Sequence, residues 1–170
     1  MASGKTTLVE VMREGTSLPA VDLDLEITKL AGCSVPEIFR HGGLGRFREL
    51  ERSAVTGLDP TRPLLLATGG GSVETAANTE LMRRCGVVIW LDANWEILRS
   101  RLENSPQRYL PMIEHLGWNG LHQLYLRRRR LYAQAAHFRL RTDRTAIGNT
   151  ARNAMLRSLV WQRRLEGAVG

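Results

Sequence analysis

The sequence is poor in cysteine, with only Cys33 and Cys85 among its 170 residues. Two cysteines so far apart exclude a cysteine-rich zinc cluster and the dense disulfide framework of a small secreted domain. Long apolar runs are also missing, since the longest are short stretches such as VVIWL and LLLA, well below the roughly 20 residues that span a bilayer. The chain shows no apolar targeting segment at its beginning. We therefore expect a cytoplasmic protein with reduced thiols and no membrane association.

Acidic residues are in the minority, with 17 Asp and Glu against 24 Lys and Arg, which gives a net charge of +7. Such an excess suits anionic ligands of any size. The densest basic stretch is the run of four arginines at 127–130. On a helix these side chains point in several directions, so we expect most of them to be solvated. The run by itself is weak support for a nucleic-acid partner, which we do not expect.

The hydrophobic pattern predicts one α/β domain over residues 1–170, with a parallel sheet. Short apolar runs without alternation are typical of strands that are buried on both faces; they occupy residues 20–24, 63–68, 87–92 and 138–143. Helical patterns lie between them, and their regular alternation with strands favours parallel pairing. The predicted helices cover residues 5–14, 34–41, 46–56, 74–85, 95–103, 121–136 and 147–165.

The first distinctive motif is Gly-Lys-Thr-Thr at residues 4–7. Gly-Lys-Thr commonly ends a phosphate-binding loop, in which backbone N–H groups and a helix N-terminus face the phosphates. The lysine adds a positive charge, and the hydroxyl that follows it binds Mg²⁺. By this pattern Gly4, Lys5, Thr6 and Thr7 are candidate nucleotide-binding residues, although four residues alone also fit an ordinary helix start.

Three further groups of residues make the phosphate-loop interpretation stronger. Asp22 and Asp24 follow a predicted strand, and in an extended segment both carboxylates would face one site. Gly69, Gly70 and Gly71 also follow a strand, where the lack of side chains permits close approach to a ligand. Arg48 and Glu51 lie one helical turn apart and share a helix face.

The segment at about 103–118 separates two clear helices. Ser105-Pro106 and the stretch around Leu110-Pro111 interrupt the helical pattern, which predicts about a dozen residues of irregular chain. A loop of this length in a compact domain is typical of a functional lid.

In order and spacing these motifs resemble the shikimate kinase family, a group of small P-loop kinases. The resemblance extends over nearly the whole chain. The matching stretches are GKTT (4–7), LPAVDLDLEI (18–27), AGCSVPEIF (31–39), GRFRELE (45–51), LLLATGGGSV (64–73), VVIWLDA (87–93), RYLPM (108–112) and RRRLYAQAA (128–136).

The resemblance implies a three-layer α/β/α P-loop kinase fold, ATP and Mg²⁺ as cofactors, and phosphorylation of shikimate or a similar hydroxylated ring acid by a monomer. It implies that Lys5 and Thr6 hold the phosphates and the metal, that Asp22 supports the metal, and that Asp24 meets the hydroxyl that is phosphorylated. The other implied roles are a substrate carboxylate held by Arg48 and Arg128, a pocket lined by Glu51 and the three glycines, a lid arginine at Arg108 and an adenine contact at Arg101.

The family pattern also includes a first strand and the first half of the phosphate loop, which this chain is expected to lack. The family places a second loop glycine where Ala2 stands. Two explanations stay open: the chain begins at an internal methionine of a longer protein, or it is a degenerate relative. Three other functions also stay open, namely a catalytically degenerate ligand-sensing domain of an aromatic acyl-CoA-responsive regulator, a related small-molecule kinase such as gluconate kinase, and a nucleic-acid binder.

Overall fold

The structure is a computed structural model that describes the backbone of residues 1–59 and 61–167, and the side chains of these residues except 106–112 and 165–167. Helices and strands alternate along the chain. The helices are α1 Lys5–Glu14, α2 Leu23–Ala31, α3 Val35–Thr56, α4 Ala76–Cys85, α5 Trp95–Glu103, α6 Pro106–Ala135 and α7 Ile147–Gly167. The strands are β1 Ala20–Asp22, β2 Leu65–Ala67, β3 Ile89–Asp92 and β4 Phe138–Arg141, and a 3₁₀ turn covers Ser72–Glu74.

The described strands form two parallel pairs. In the first pair β1 lies beside β2, with Asp22 opposite Ala67. In the second pair β3 lies beside β4, with Asp92 opposite Arg141. Because the strands of each pair are parallel, their carboxyl ends meet at the same edge, where ligands bind in α/β proteins.

Helix α1 connects the two strand pairs through an apolar core. Its buried Leu8 and Met12 pack with Phe138 and Leu140 of β4 and with the buried alanines of α7. Partly buried side chains of β2 and β3 pack against the same core, namely Leu65, Ile89 and Leu91. The side of α1 that faces the strands therefore holds the two strand pairs together, and the phosphate-loop motif lies at the N-terminus of the same helix.

The opposite face of the second pair is covered by α6. Arg139 of β4 points away from α1, and its guanidinium lies 5.0 Å from the centre of the Trp90 ring. Arg129 of α6 reaches the same ring at 5.7 Å. Helices on both faces of parallel strands confirm the predicted α/β class.

The second core lies between α2 and α3. Leu23 and Ile27 of α2 are fully buried against Phe47 and Leu50 of α3. Full burial of each leucine or isoleucine contributes about 1.5–3 kcal/mol. This core fixes the second half of α3, which carries Arg48 and Glu51.

Helix α3 is bent at a glycine, which agrees with the two separate helices predicted for 34–41 and 46–56. Gly43 has φ 62° and ψ −164°, a conformation that only glycine adopts readily. Ser34 is the N-cap of the first half, and its backbone N–H donates to Glu37 Oε2 at 2.8 Å, as in a capping box.

Two predictions about secondary structure are wrong. The first predicted strand continues to residue 24, whereas β1 ends at Asp22 and α2, which was not predicted, begins at Leu23. The sequence predicts an irregular segment at 103–118, whereas all of its residues except Asn104 and Ser105 belong to α5 and α6, with a kink at Gly117 (φ 61°, ψ 174°). A proline in the first turn of a helix loses no hydrogen bond, so Pro106 is compatible with this start.

Within the described residues, no helix combines the length and the apolarity that crossing a bilayer requires.

Candidate active site

The phosphate-loop motif lies at the N-terminus of α1. Gly4 precedes the helix in a left-handed conformation with φ 84°, which glycine adopts without strain. Lys5, Thr6 and Thr7 form the first turn, and the Lys5 ammonium donates to the carbonyl oxygen of Thr68, directly after β2. The lysine therefore lies at the carboxyl edge of the strands, beside the start of the glycine triplet.

Arg101 joins this loop to the end of β4. Its guanidinium donates to Ala2 O at 3.1 Å and to Thr142 O at 2.7 Å. Ala2, where the family places a glycine, has φ 44°, in the left-handed region that a side chain disfavours. Arg101 thus contacts the nucleotide-loop backbone, and the adenine contact that the resemblance implies stays a prediction.

Asp22 and Asp24 do not share the face of an extended strand. Asp22 is the N-cap of α2, and its Oδ1 accepts a hydrogen bond from Asp24 N at 2.9 Å. Asp24 instead lies in the first turn of α2, where the helix dipole stabilises a carboxylate. The two acidic residues still lie at one strand end, because a capped helix turn follows the strand directly.

The glycine triplet is surrounded by side chains from three helices, α2, α3 and α6. A Cβ at position 69 would lie 3.0 Å from Asp24 Oδ1, and one at position 71 would lie 2.6 Å from Arg48 Nη2 and 3.1 Å from Arg128 Nη2. Between them, Gly70 O accepts a hydrogen bond from the Tyr132 hydroxyl at 2.6 Å. Burial raises the pKa of this phenol, which keeps it a hydrogen-bond donor at neutral pH. The structure thus brings Asp24, Arg48 and Arg128 together around the triplet.

Glu51 orients Arg48 from inside the protein. The Glu51 side chain is only 1% exposed, and its Oε2 accepts from Arg48 Nη1 at 2.8 Å. The same carboxylate accepts from Ser72 Oγ at 2.6 Å and from Asn78 Nδ2 at 2.9 Å. A buried carboxylate with three donors is a fixed anchor, since each donor offsets part of its desolvation. The contact with substrate that the resemblance implies for Glu51 as a pocket residue stays a prediction.

Sequence reasoning missed Glu74, which ends the 3₁₀ turn after the triplet. Its Oε2 accepts from Arg48 Nη2 at 2.8 Å, and its Oε1 accepts from Arg127 Nη2 at 2.5 Å and from Arg128 Nε at 3.3 Å. Partial burial alone would raise the pKa of Glu74, but the hydrogen bonds and charges of Arg128 and Arg127 outweigh it and leave the pKa below its ordinary value. Glu74 is therefore a carboxylate at neutral pH. In the sequence, its position three residues after the triplet was the one available signal that it belongs to the site.

In the arginine run at 127–130, Arg127 and Arg130 are exposed, whereas Arg128 and Arg129 are partly buried. Arg127 is exposed but forms an ion pair with Glu74. Arg129 packs against the rings of Trp90 and Tyr125, and its guanidinium lies 3.7 Å from the buried Asp92 carboxylate. Consecutive residues on α6 thus serve two purposes, since Arg128 faces the glycine triplet and Arg129 fastens α6 to β3.

Three predicted site residues remain to be located, namely Thr6, Thr7 and Arg108. Thr6 is half-buried and Thr7 is exposed in the first turn of α1. The side chain of Arg108 lies outside the described residues, so its predicted lid role stays a prediction.

The residues at the strand edge have the chemistry that Mg²⁺ and nucleotide phosphates require. Thr6 offers a hydroxyl and Asp22 a carboxylate, both hard oxygen donors, next to the Lys5 ammonium and the helix N-terminus. Among the residues that the structure describes, no group of three or more His, Cys, Asp or Glu could hold a metal by itself. A magnesium ion in a kinase site is commonly held by one or two protein oxygens together with substrate phosphates, and Thr6 and Asp22 could supply such oxygens.

In this site a helix that begins with a lysine lies at the carboxyl edge of parallel strands, and it faces a glycine turn lined with arginines. This arrangement defines the class of P-loop kinases that act on small molecules. The comparisons with known proteins narrow this class. A family model described as "Shikimate kinase" matches residues 1–158, so the chain belongs to the shikimate kinase family.

Individual relatives agree with this assignment. The chain is 36% identical over 156 residues to a shikimate kinase of Symbiobacterium thermophilum, covering 91% of this chain and 90% of that protein. It is 39% identical over 135 residues to a shikimate kinase of Synechococcus sp. (strain RCC307), covering 79% and 69%. Among solved structures, a shikimate kinase from Acinetobacter baumannii in complex with shikimate superimposes with a TM-score of 0.83 at 30% identity, covering 97% of this chain and 90% of that one. The predicted family and fold are confirmed.

Proposed function

We propose that this chain transfers the terminal phosphoryl group of ATP to a hydroxyl of shikimate, giving shikimate 3-phosphate and ADP. The observation that carries the proposal is the convergence of Asp24, Arg48 and Arg128 on the glycine triplet, whose preceding residue accepts from Lys5. The similar Acinetobacter baumannii structure is a complex with shikimate, which supports the same ligand here.

The substrate end of the site suits a hydroxylated ring acid. Arg48 and Arg128 present planar guanidinium groups that bind a carboxylate through two oxygens. Asp24, on the other side of the triplet, would accept the proton of the attacking hydroxyl as that oxygen bonds to the γ-phosphorus and the bond to the β-phosphate oxygen breaks. The glycines leave room for the ring between these groups.

The phosphate end of the site neutralises charge. Lys5 would leave the Thr68 carbonyl to contact the phosphates, and the N–H groups from Gly4 onward would donate to phosphate oxygens. Mg²⁺, held by Thr6 and supported by Asp22, would neutralise further phosphate charge when bound. Arg101 and Arg108 are assigned to the adenine and to the transferring phosphate. Magnesium dependence, a monomeric state and a cytoplasmic location belong to this proposal as well.

A coupled assay of ADP release with shikimate and Mg-ATP tests the activity, with gluconate in parallel to separate the two kinase activities. The assay uses this chain and a chain extended upstream through a strand and a complete phosphate loop. We expect turnover that depends on shikimate; its absence from both chains would rule out the proposal, and turnover with gluconate alone would reassign the substrate.

Arg48→Ala tests the carboxylate assignment. Loss of a charge-assisted contact to a carboxylate removes about 3 kcal/mol or more, so we expect the KM for shikimate to rise roughly a hundredfold or more. The matched control is Arg46→Ala, which removes an exposed arginine two residues away that pairs only with the exposed Glu49 among its described contacts. An unchanged affinity in Arg48→Ala would show that Arg48 does not bind the carboxylate.

A further inference from the structure

The site already contains a carboxylate where the proposed substrate would place its own. Glu74 is 20% exposed and lies between Arg48 and Arg128, the two arginines assigned to the substrate carboxylate. Its Oε2 accepts from Arg48 Nη2 at 2.8 Å and from Arg128 Nη2 at 3.4 Å, and its Oε1 accepts from Arg128 Nε at 3.3 Å. Glu74 thus engages both guanidinium groups through two oxygens, as a ligand carboxylate would.

The donors that Glu74 uses are the ones that a ligand would need. Arg48 Nη1 already donates to the buried Glu51, which leaves Nη2 as the terminal nitrogen directed at the pocket. That nitrogen would lie 2.6 Å from a Cβ at position 71, so Glu74 meets Arg48 directly over the triplet. A substrate carboxylate that bound Arg48 Nη2 and Arg128 would have to take over bonds that Glu74 makes.

We propose that Glu74 is an internal competitor that holds Arg48 and Arg128 before substrate binds and is displaced by the substrate carboxylate. This inference rests on the proposed function. Glu74 sets affinity and specificity for anionic substrates without contacting the reacting atoms. Displacement breaks the bonds of Glu74 to the two arginines. Only a ligand that supplies a carboxylate and further contacts around the triplet offsets the free energy of these bonds.

Arg127 provides a partner for Glu74 after displacement. It is 66% exposed and binds Glu74 Oε1 at 2.5 Å from the solvent side of the site. A rotation of the Glu74 side chain that kept this bond would release Arg48. The glutamate would then keep a cationic partner after its displacement.

The charge balance sets the direction of the effect. Three arginines (48, 127 and 128) pair with two carboxylates (Glu51 and Glu74). These five side chains therefore carry a net charge of 3 − 2 = +1 before substrate binds. Replacing Glu74 with glutamine raises this to +2 and removes the competing anion. A substrate carboxylate should then bind more tightly, whereas an uncharged analogue should be insensitive to the change.

The experiment measures dissociation constants by calorimetry, for shikimate and for its methyl ester, with the wild type, Glu74→Gln and Glu74→Asp. Glu80→Gln is the matched control, because it removes one exposed negative charge from the neighbouring helix α4. We expect Glu74→Gln to lower the Kd for shikimate about fivefold or more, with the Kd for the ester changed less than twofold. Glu74→Asp, which keeps the charge, should stay closer to the wild type than Glu74→Gln does.

Three results would overturn the inference while leaving the proposed function intact. These are a weaker binding of shikimate by Glu74→Gln, an equal change for shikimate and the ester, and an equal gain in Glu80→Gln. The first would mean that Glu74 positions the arginines instead of competing for them. If neither the wild type nor any variant binds shikimate, the proposed function is wrong and the inference fails with it.

Discussion

At the scale of single residues, the site is shaped by the absence of side chains at the glycine triplet. Gly71 has φ −95°, which any residue can adopt, so the reason for glycine there is space. The guanidinium groups of Arg48 and Arg128 occupy the volume that a Cβ would need. The backbone of the triplet therefore packs directly against the two guanidinium groups.

Gly71→Ala should reduce substrate affinity while leaving the fold intact. The added methyl group pushes both guanidinium groups away, and their flexible side chains absorb the movement. We expect the KM for shikimate to rise about tenfold, since small misplacements of positioning groups have effects of this order. Steady-state kinetics and a thermal melt of the same sample provide the measurement.

Gly86→Ala is the control for this variant, because no atom lies within 4 Å of a Cβ at position 86 and the backbone there is extended. An unchanged KM in Gly71→Ala would show that the arginines do not need their present positions.

Glu51→Gln tests the buried anchor of Arg48. The substitution keeps the shape of the side chain but removes the charge that three donors surround, in a site where the side chain is 1% exposed. We expect the free energy of unfolding to fall by about 3 kcal/mol, the typical effect of breaking a buried ion pair. Chemical denaturation measures this directly.

Glu49→Gln provides the comparison on the same helix. Glu49 is 71% exposed and pairs with Arg46 at 3.2 Å, so its loss should cost less than about 1 kcal/mol. Equal losses in the two variants would mean that burial adds nothing to the strength of the Arg48–Glu51 pair.

At the scale of secondary structure elements, two long helices are each bent at a glycine. Gly43 in α3 and Gly117 in α6 have φ near +60° and an extended ψ, a combination that costs any other residue about 1–3 kcal/mol. The bend in α3 separates its capped first turn from the half that carries Arg48 and Glu51. The bend in α6 separates the predicted lid from the half that carries Arg128.

Gly43→Ala should therefore lower both stability and substrate affinity. The variant either strains the backbone or straightens α3, and the second outcome moves Arg48 relative to the triplet. We expect a loss of about 1–3 kcal/mol in the free energy of unfolding and a higher KM for shikimate. Denaturation curves and kinetics on one preparation measure both quantities.

Gly45→Ala, two residues along the same helix, should have the opposite effect on stability. Its Cβ would meet no atom within 4 Å, and alanine favours an exposed helix over glycine by up to about 1 kcal/mol. A destabilised Gly45→Ala would show that the effect at Gly43 is not specific to its backbone conformation.

Most elements could be predicted from the sequence because their signals are local. The apolar runs identified all four described strands, since strands buried in a parallel sheet need no polar alternation. Helix α2 was missed because Asp22 is the last residue of a strand and also the N-cap of a helix, and no spacer residue separates the two. The start of α6 was missed because Ser105-Pro106 is equally compatible with a loop and with a first helical turn.

At the scale of the whole molecule, the site depends on contacts between distant parts of the chain. Arg48 and Arg128 could be assigned from a family resemblance, but the role of Glu74 could not. Its partners come from α3 and α6, 26 and 53–54 residues away, and no local pattern records such a distance. The contacts of Arg129 could not be predicted for the same reason, because its surroundings come from β3 and a separate turn of α6.

The pH dependence of stability is also a property of the whole molecule. Asp143, after β4, accepts from Arg141 Nε at 2.8 Å and Nη2 at 2.6 Å and from Asn94 N at 2.9 Å, so it ties the loops after β3 and β4 together. The hydrogen bonds from Arg141, followed by the one from Asn94, hold the pKa of Asp143 well below its ordinary value. A carboxyl with a lowered folded-state pKa stabilises the fold above its unfolded pKa, and this stabilisation is lost as the pH falls towards the folded value.

Asp143→Asn should therefore reduce stability most at neutral pH. We expect the difference in unfolding free energy between wild type and variant to be largest above about pH 5, and to narrow as the pH falls through about 4 and below. Urea denaturation at a series of pH values measures this difference. A difference that stays constant down to pH 2 would mean that ionisation of Asp143 does not contribute.

The contact of Arg48 and Arg128 with Gly71 has an evolutionary consequence. Any larger residue at position 71 displaces the two guanidinium groups, so selection acts on these three positions as one unit. A descendant that lost its need for an anionic ring substrate would be released from all three constraints together. Joint retention of the glycine and both arginines, more than retention of the nucleotide loop, should therefore distinguish lineages that keep this substrate from those that have adopted another.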